Sequence, residues 1–437
     1  MSRRPCLTES GRQPPSDGAG LGQRVLFTLG ALVIYRLGTY VPLPGIDLQL
    51  LQELFSRNAG GMVDIFSARA LGRMTIFALN ITPYLSASIL LQLVMVVSSK
   101  LRALKNAGAA GSKTLDQYAR IGALVIAAIE AYGIAIGLEG ASGGRSAVID
   151  PGLFFRLSTV LMLTAGTALL IWLGDQITAR GVGNGIALII FSGIVAHTPT
   201  ALGQLLERGR MGTMSYSAIV LALMGVVALV AFVVFMERAQ RRVLVQYPRR
   251  QIGSRMFGGE ASHLVLKLNS AGTIPPRFAS SLLLLPATIA GFGATSAGGG
   301  WLAEITTYVG RGHPVYLLLY VVIIVFFCFL YTSIIFSPAE MAYNLRKYGG
   351  FIPGIRPGKD TADHLDHVLT RLTLIGTLYI AGICVLPEIL AAQLGLRFYF
   401  GGTSLLIVVC VGLDLVGEFR ARLGQRRAKT GADGTGD

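Results

Sequence analysis

Long apolar runs, broken at intervals by short polar or basic stretches, dominate the chain. A helix needs about 20 mostly apolar residues to cross a bilayer. Runs of that length lie near 22–41, 75–98, 119–138, 153–173, 184–203, 216–236, 267–291, 314–336, 369–391 and 402–419. They predict ten spans, of which the fifth is weakly apolar and the seventh carries a charge, Arg277. One segment breaks the pattern. Residues 62–74, from Met62 to Met74, are semi-apolar and helix-compatible but too short to cross, and they lead directly into the second span. Such a half-length helix is either a re-entrant element, tolerated where protein shields it or where it lines a water-filled cavity, or an amphipathic helix on the outer surface.

Composition agrees with the spans. Charged residues make up 14% of the 437 and apolar residues 52%, whereas a soluble globular domain is about 25% charged. So little polar surface could not cover a water-soluble particle of this size, and disordered chains are poor in apolar residues. The chain reads as an integral membrane protein. Its 38 Lys and Arg residues, which give a net charge of +15, are not spread evenly. With the N-terminus inside, the inner loops and tails hold roughly three times as many as the outer loops, as the positive-inside rule requires. Both termini are therefore expected to be cytoplasmic. Residues 1–20 are polar and rich in Pro, Gly and Ser. The run behind them is too long for a signal-peptide core and leads to Val41-Pro42-Leu43-Pro44-Gly45 rather than a small-residue cleavage site, so no cleaved leader is expected.

Two inner loops are longer than orientation demands. Residues 237–266 carry Arg238, Arg241, Arg242, Arg249, Arg250 and Arg255 with Tyr247 and Phe257 between them; residues 337–368 carry Arg346, Lys347, Arg356 and Lys359 with Tyr348 and Phe351. Basic side chains interleaved with aromatics suit an RNA surface or an acidic protein partner. Retention on the inner side and attraction to anionic lipid would need the same charges.

Other chemistry is sparse. Gly181-Val182-Gly183-Asn184-Gly185 lacks the Lys-Ser/Thr partner and the βαβ setting of a nucleotide loop, and suits a tight turn into the fifth span. His364 and His367 beside Asp363 and Asp366 superficially resemble a metal site but read as the polar start of a helix. Of the cysteines, Cys328, Cys384 and Cys410 lie in apolar runs and Cys6 in the N-tail, and none forms a CxxC. No cofactor is expected and the chain is not expected to be an enzyme. A secondary transporter for a small solute is the main rival, since it too would have inverted repeats and a broken helix. It would need a polar midplane site, whereas Arg36, Glu130, Arg277 and Asp414 are dispersed. An intramembrane enzyme lacks a nucleophile-and-base or metal pair within the spans.

Ordered motifs along 21–420 resemble the SecY family, the channel subunits of the bacterial Sec protein translocon. They are Ile76-Phe77-Ala78-Leu79 with Pro83-Tyr84-Leu85-Ser86-Ala87-Ser88-Ile89, Trp172-Leu173-Gly174-Asp175-Gln176-Ile177-Thr178 running into Gly183-Asn184-Gly185-Ile186, and Glu237-Arg238-Ala239-Gln240-Arg241-Arg242. Phe278-Ala279-Ser280-Ser281, Phe351-Ile352-Pro353-Gly354-Ile355-Arg356-Pro357-Gly358 and Phe398-Tyr399-Phe400-Gly401-Gly402-Thr403-Ser404 complete the set.

The resemblance implies an all-α polytopic protein with ten transmembrane helices in two inverted pseudo-symmetric halves around an hourglass pore. The expected organisation is a disordered N-tail 1–20, an N-terminal half 21–203, an external connection 204–215, a C-terminal half 216–420 and a disordered tail 421–437. The resemblance makes 62–74 a half-helix plug, with Asp64, Ile65, Phe66, Ser67, Leu71 and Arg73 as its candidates. It implies a pore collar of Ile81, Leu85, Ile186, Ile190, Arg277 and Ile407. Arg277 departs from the aliphatic family pattern and is expected to weaken the seal, next to a helix loosened by Pro275 and Pro276; Asp64 is a candidate partner for it. A lateral gate is implied with Ser86, Ser88 and Gln92 on one side and Asn269 and Thr273 on the other. Arg241, Arg242, Arg249, Arg250, Arg255, Arg356 and Lys359 become candidates for docking the ribosome, including its rRNA, and the motor ATPase SecA. SecE-like and SecG-like small subunits, signal peptides, nascent chains and membrane lipids are the further partners implied, and the bacterial inner membrane is the expected location.

Overall fold

The computed structural model describes residues 21–47, 74–140, 148–212, 215–247, 250–252, 255–257, 261–269, 271–280, 282–283, 314–394 and 401–433. Among them, seven helices are long and apolar enough to cross a membrane, and they match seven of the ten expected spans. Of the other three, the first is the 18-residue helix α1, Leu21–Gly38. The second is the shorter apolar helix α2, Thr82–Val97. Of the seventh, 267–269, 271–280 and 282–283 are described, and helix begins only at 274. The chain divides into two compact units, one comprising Met1–Thr200, Ser281–Tyr316 and Val411–Asp437, the other Ala201–Ser280 and Leu317–Cys410.

In the first unit, α2 is followed by the short α3, Ser99–Asn106, and the long α4, Ala109–Gly140. Next come α5, Leu153–Arg180, α6, Gly185–Val195, and the start of α7, Thr198–Arg210. Ala119, Ala123, Ala127, Ala131 and Ala135 recur every fourth residue on α4 and are all buried. At that spacing they form one smooth face, against which larger side chains of the neighbours pack. Ala123 meets Ala87 of α2 and Ile171 of α5. Ala127, Ala131 and Ala135 join Met74, Leu79, Phe155 and Leu163. At the end of this helix pair Glu139 accepts from Arg156 Nε at 2.7 Å and from the Gly152 amide at 3.1 Å, fixing where α5 starts.

The second expected span does not begin as helix at 75. Residues 74–81 form a chain of turns, and helix starts only at Thr82. Met74 and Asn80 both have positive φ, at 40° and 51°, a conformation that asparagine tolerates and that interrupts a helix. The Asn80 side chain accepts from the Ile81 amide at 2.9 Å, and Pro83 occupies the first helical turn, where its missing N–H costs nothing. Two glycines make room for this segment. A Cβ on Gly166 of α5 would strike the Ile76 carbonyl oxygen and come within 2.8 Å of its Cγ2, and one on Gly38 of α1 would run into the Phe77 ring.

Between α5 and α6 the glycine-rich stretch is a turn, as its composition suggests. Gly183 has φ +83°, and Asn184 caps α6 by accepting from the amides of Ile186 and Ala187. Thr28 of α1 braces the turn by accepting from the Val182 amide at 3.1 Å.

The second unit contains α8, Tyr216–Arg238, α9, Pro314–Ile335, from Leu317 onward, α10, Pro338–Lys347, and α11, Lys359–Leu394. The helix α12, Gly402–Asp433, starts there and runs on into the first unit. The stretch from 421, expected to be disordered, is helical to Asp433. Arg420-Ala421-Arg422-Leu423 and the residues after them hold good helix formers and no proline, and an Arg422–Glu418 ion pair one turn apart supports the extension.

The loop after α8 holds strands, which the helical reading did not anticipate. Strand β1, Gln240–Gln246, pairs antiparallel with β4, Ala261–Lys267, and the short β2, Arg250–Ile252, with β3, Arg255–Phe257. The alternation in Arg242-Val243-Leu244-Val245 explains it, since Val243 and Val245 turn inward while Arg242 and Leu244 face out.

The turn of α6 against α5 gives a direct test of this packing. A Cβ on Gly185 would collide with the Gly174 carbonyl oxygen and lie 2.7 Å from Ile177 Cβ, whereas one on Gly30 would meet nothing within 4 Å. Gly185→Ala is expected to destabilise the detergent-solubilised protein by about 1–3 kcal/mol. Gly30→Ala should stay within about 0.5 kcal/mol of the parent or gain slightly. Equal melting shifts for the two would show that the approach is not tight.

Candidate functional site

The collar candidates divide between the units. In the first, Ile81 is fully buried immediately ahead of α2, and Leu85 follows one turn later, half-buried. Both owe their position to the turn segment 74–81. Ile186 and Ile190 stand one turn apart on α6, half-buried, set by the Asn184 cap at its start. In the second unit, Ile407 on α12 is buried, and Arg277 is 8% exposed. Pro275 and Pro276 lie in the first turn of the helical segment 274–280. There proline is tolerated, so they start this helix rather than loosen it. Nε and Nη2 of Arg277 are buried with no hydrogen-bond partner among the described residues.

The plug candidates Asp64, Ile65, Phe66, Ser67, Leu71 and Arg73 lie outside the described residues, as does any contact between Asp64 and Arg277. Met74, where that segment ends, is buried, and its carbonyl accepts from the Leu43 amide at 2.7 Å.

Of the gate candidates, Ser86 and Ser88 are half-buried on α2 and Gln92 is buried. Ser88 shares a hydrogen bond with Tyr84 on its own helix. Asn269 and Thr273 bracket the turn leading into the seventh span, in which Gly272 has φ +67°. Asn269 uses its amide inside its own unit. Its Nδ2 donates to Glu237 Oε1 at 2.6 Å and its Oδ1 accepts from the Gly272 amide at 2.9 Å. The Tyr379 hydroxyl of α11 reaches the same Glu237 oxygen at 3.4 Å. Glu237, 6% exposed at the end of α8, is thus a buried anchor for the root of the seventh span. In the sequence it stands at the edge of a basic loop. Its signal was a carboxylate at the very end of an apolar run, where a solvated charge gains nothing from being buried.

The two basic loops are one structure. The Gln246 and Phe351 backbones exchange two hydrogen bonds of 2.9 Å, so 351 extends the β1 edge. Beneath it Val243, Val245 and Leu266 pack with Ile352, Leu365, Val368 and Leu369. Tyr247 belongs to this core, so it is not a free stacking platform. A Cβ on Gly350 would come within 2.9 Å of the Tyr247 ring and 3.1 Å of Val245. On the outside, Arg241, Arg242, Arg356 and Lys359 are exposed, together with Tyr343 and Tyr348. The backbones of Arg250 and Arg255 belong to β2 and β3, and Arg249 lies outside the described residues. Arg356 sits in a turn pinned by Ile352 and Ile355 and closed by Thr361, whose hydroxyl donates to the Arg356 carbonyl at 2.8 Å. His364, Asp363, Asp366 and His367 occupy the first turns of α11, as read from the sequence. Ser337 starts α10 by accepting from the Glu340 amide, with Arg346 and Lys347 at the far end, where a helix favours cations.

Comparison with known proteins bears on the whole chain. A model of the SecY family matches residues 75–416. The protein translocase subunit SecY of Escherichia coli strain K12 is 47% identical over 409 residues, 92% of each chain. The subunit of the same name from Vibrio cholerae is 46% identical over 429 residues, covering 97% of this chain and 96% of that one. The fold is similar to that of a solved protein-conducting channel, with a TM-score of 0.63 at 17% identity, covering 93% of this chain and 94% of that one. It is also similar to Sec61 in the canine ribosome–channel complex from the endoplasmic reticulum, with a TM-score of 0.61, 17% identity and the same coverage. The architecture is that of an all-α polytopic membrane protein, and with a family match across most of its length the chain belongs to the SecY family.

Proposed function

We propose that the chain is the central channel subunit of a Sec translocon, passing unfolded secretory polypeptides across the bacterial inner membrane and releasing transmembrane segments sideways into lipid. The observation that carries the reading is near-complete coverage at 47% identity by a protein translocase subunit. The physical problem is the passage of backbone through about 30 Å of hydrocarbon, where each unsatisfied amide or carbonyl costs several kcal/mol. Water-filled funnels on both sides remove most of that cost, but they cannot simply join without leaking ions. A narrow collar of aliphatic side chains dewets when empty and yields around a chain without binding it. Ile81, Leu85, Ile186, Ile190 and Ile407 supply that collar, and Arg277 is its one charged member, which weakens the seal. Residues 62–74, with Asp64, Ile65, Phe66, Ser67, Leu71 and Arg73, form the plug.

Sideways release needs a seam that an apolar segment can displace. Ser86, Ser88 and Gln92 on α2, and Asn269 and Thr273 at the root of the seventh span, line it. Polar contacts between membrane helices contribute only about 0.6 kcal/mol each, so such closure is weak. The exposed cations of the platform, Arg241, Arg242, Arg356 and Lys359, with Arg249, Arg250 and Arg255, dock the ribosome and the motor ATPase SecA. SecE-like and SecG-like subunits complete the complex, and both termini face the cytoplasm.

The reading is tested by depleting the resident SecY from a bacterium and expressing this chain with its cognate small subunit. Restored processing of a signal-peptide-bearing precursor is expected. Precursor accumulation despite stable insertion, by both this chain and Arg277→Ile, would contradict it. For docking, Arg356→Glu should lower motor-driven translocation about tenfold or more without shifting the melting temperature, because the side chain is exposed and a reversed charge repels an acidic partner. An unchanged rate would remove Arg356 from the docking surface.

A further inference from the structure

We propose that Arg277 reads the charge of the polypeptide in transit. Its guanidinium engages Asp and Glu carboxylates of the passing segment and opposes Lys and Arg side chains. The inference rests on the collar assignment above and deepens it. Two buried charges of the second unit are treated differently. The Glu237 carboxylate receives the Asn269 amide and the Tyr379 hydroxyl. Arg277 is equally buried, yet its Nε and Nη2 have no hydrogen-bond partner among the described residues.

An arginine does not shed its proton to escape burial, so the charge stays. A buried cation whose Nε and Nη2 lack a partner among the described residues draws opposite charge strongly, because little solvent screens it. The identity of the unpartnered atoms names the ligand. Nε–H and Nη2–H point in parallel from one edge of the guanidinium, the edge that grips a carboxylate through two parallel hydrogen bonds. A collar of aliphatic groups alone treats Asp, Ser and Lys by size and hydration. With this edge present, an acidic side chain gains contacts as it passes, and a basic one meets repulsion at the narrowest point. In a channel without lasting affinity for its cargo, that difference appears in rate.

The test uses the complete complex with its small subunits in vesicles, driven by the motor ATPase without a membrane potential. Three precursors differ only in a short tract of the mature region, acidic, Ser/Gly or Lys. Each is measured with the unsubstituted chain and with Arg277→Ile, Arg277→Gln and Arg277→Lys. The ratio of acidic-tract to Lys-tract rates is expected to be about fivefold or more higher with Arg277 than with the isoleucine or glutamine variant. Arg277→Lys should fall between, since it keeps the charge and loses the fork. The glutamine variant preserves the comparison if isoleucine impairs folding. Equal ratios in all four proteins would overturn the proposal while leaving the channel reading intact. Failure of the unsubstituted complex to move the Ser/Gly precursor would defeat the channel reading, and this inference with it.

Discussion

Inside hydrocarbon a backbone amide has no water to bond to, and this constraint governs where the chain is permitted to depart from helix. The departure at 74–81 shows how it is met. The amides of Ala78, Asn80 and Thr82 donate to carbonyls three residues back, and Ile76 donates to Val41, while Met74 accepts from Leu43. The side chains of Met74, Thr75, Phe77, Ala78, Leu79 and Ile81 are all buried. Every one of these turns is thus shielded by protein, with Gly166 giving up a side chain to let the Ile76 carbonyl in and Gly38 to make room for the Phe77 ring. The turn at 181–184, ahead of the fifth apolar run, is likewise braced by Thr28 and Asn184, and the turn at 269–272 by the Asn269 side chain. Each irregularity stands at the root of a helix that carries a collar or gate candidate.

The second unit meets a different constraint at its polar end. Loops of this length would be costly to order one at a time. Here two loops share one apolar core, and the Gln246–Phe351 pairing joins their backbones. That arrangement spends Tyr247 and Ile352 on packing and leaves Arg241, Arg242, Arg356 and Lys359 facing out. The exposed cations are thus carried on a shared apolar base.

The spans were legible because hydrophobic length is a local property, read residue by residue; α4, α5 and α8 all cover the runs that predicted them. So was the turn at Gly183, where backbone chemistry speaks through a single residue type. The platform was not, although Val243 and Val245 already alternate, because the partners that bury them, Leu365 and Ile352, are more than a hundred residues away. The role of Asn269 was legible only in part. Its polarity marked it, but its partner Glu237 sits across a pair of strands. Helix beyond 421 was hidden by charge, which resembles disorder in composition while Ala and Arg favour helix. Arg277 was visible from the start as a charge in an apolar run; that its Nε and Nη2 lack a partner among the described residues required the structure.

The central claim, that a polypeptide passes through a collar formed by these residues, is tested most directly by site-specific photo-crosslinking. A photoreactive side chain is introduced singly at Ile81, Ile186, Ile407 or Arg277, and at Leu221, an exposed position on the apolar helix α8. A precursor is then arrested midway by a folded domain at its C-terminus. The account predicts crosslinks to the arrested chain from the four collar positions and none from Leu221. Crosslinks that are absent from the collar positions while the precursor is demonstrably arrested across the membrane would contradict it.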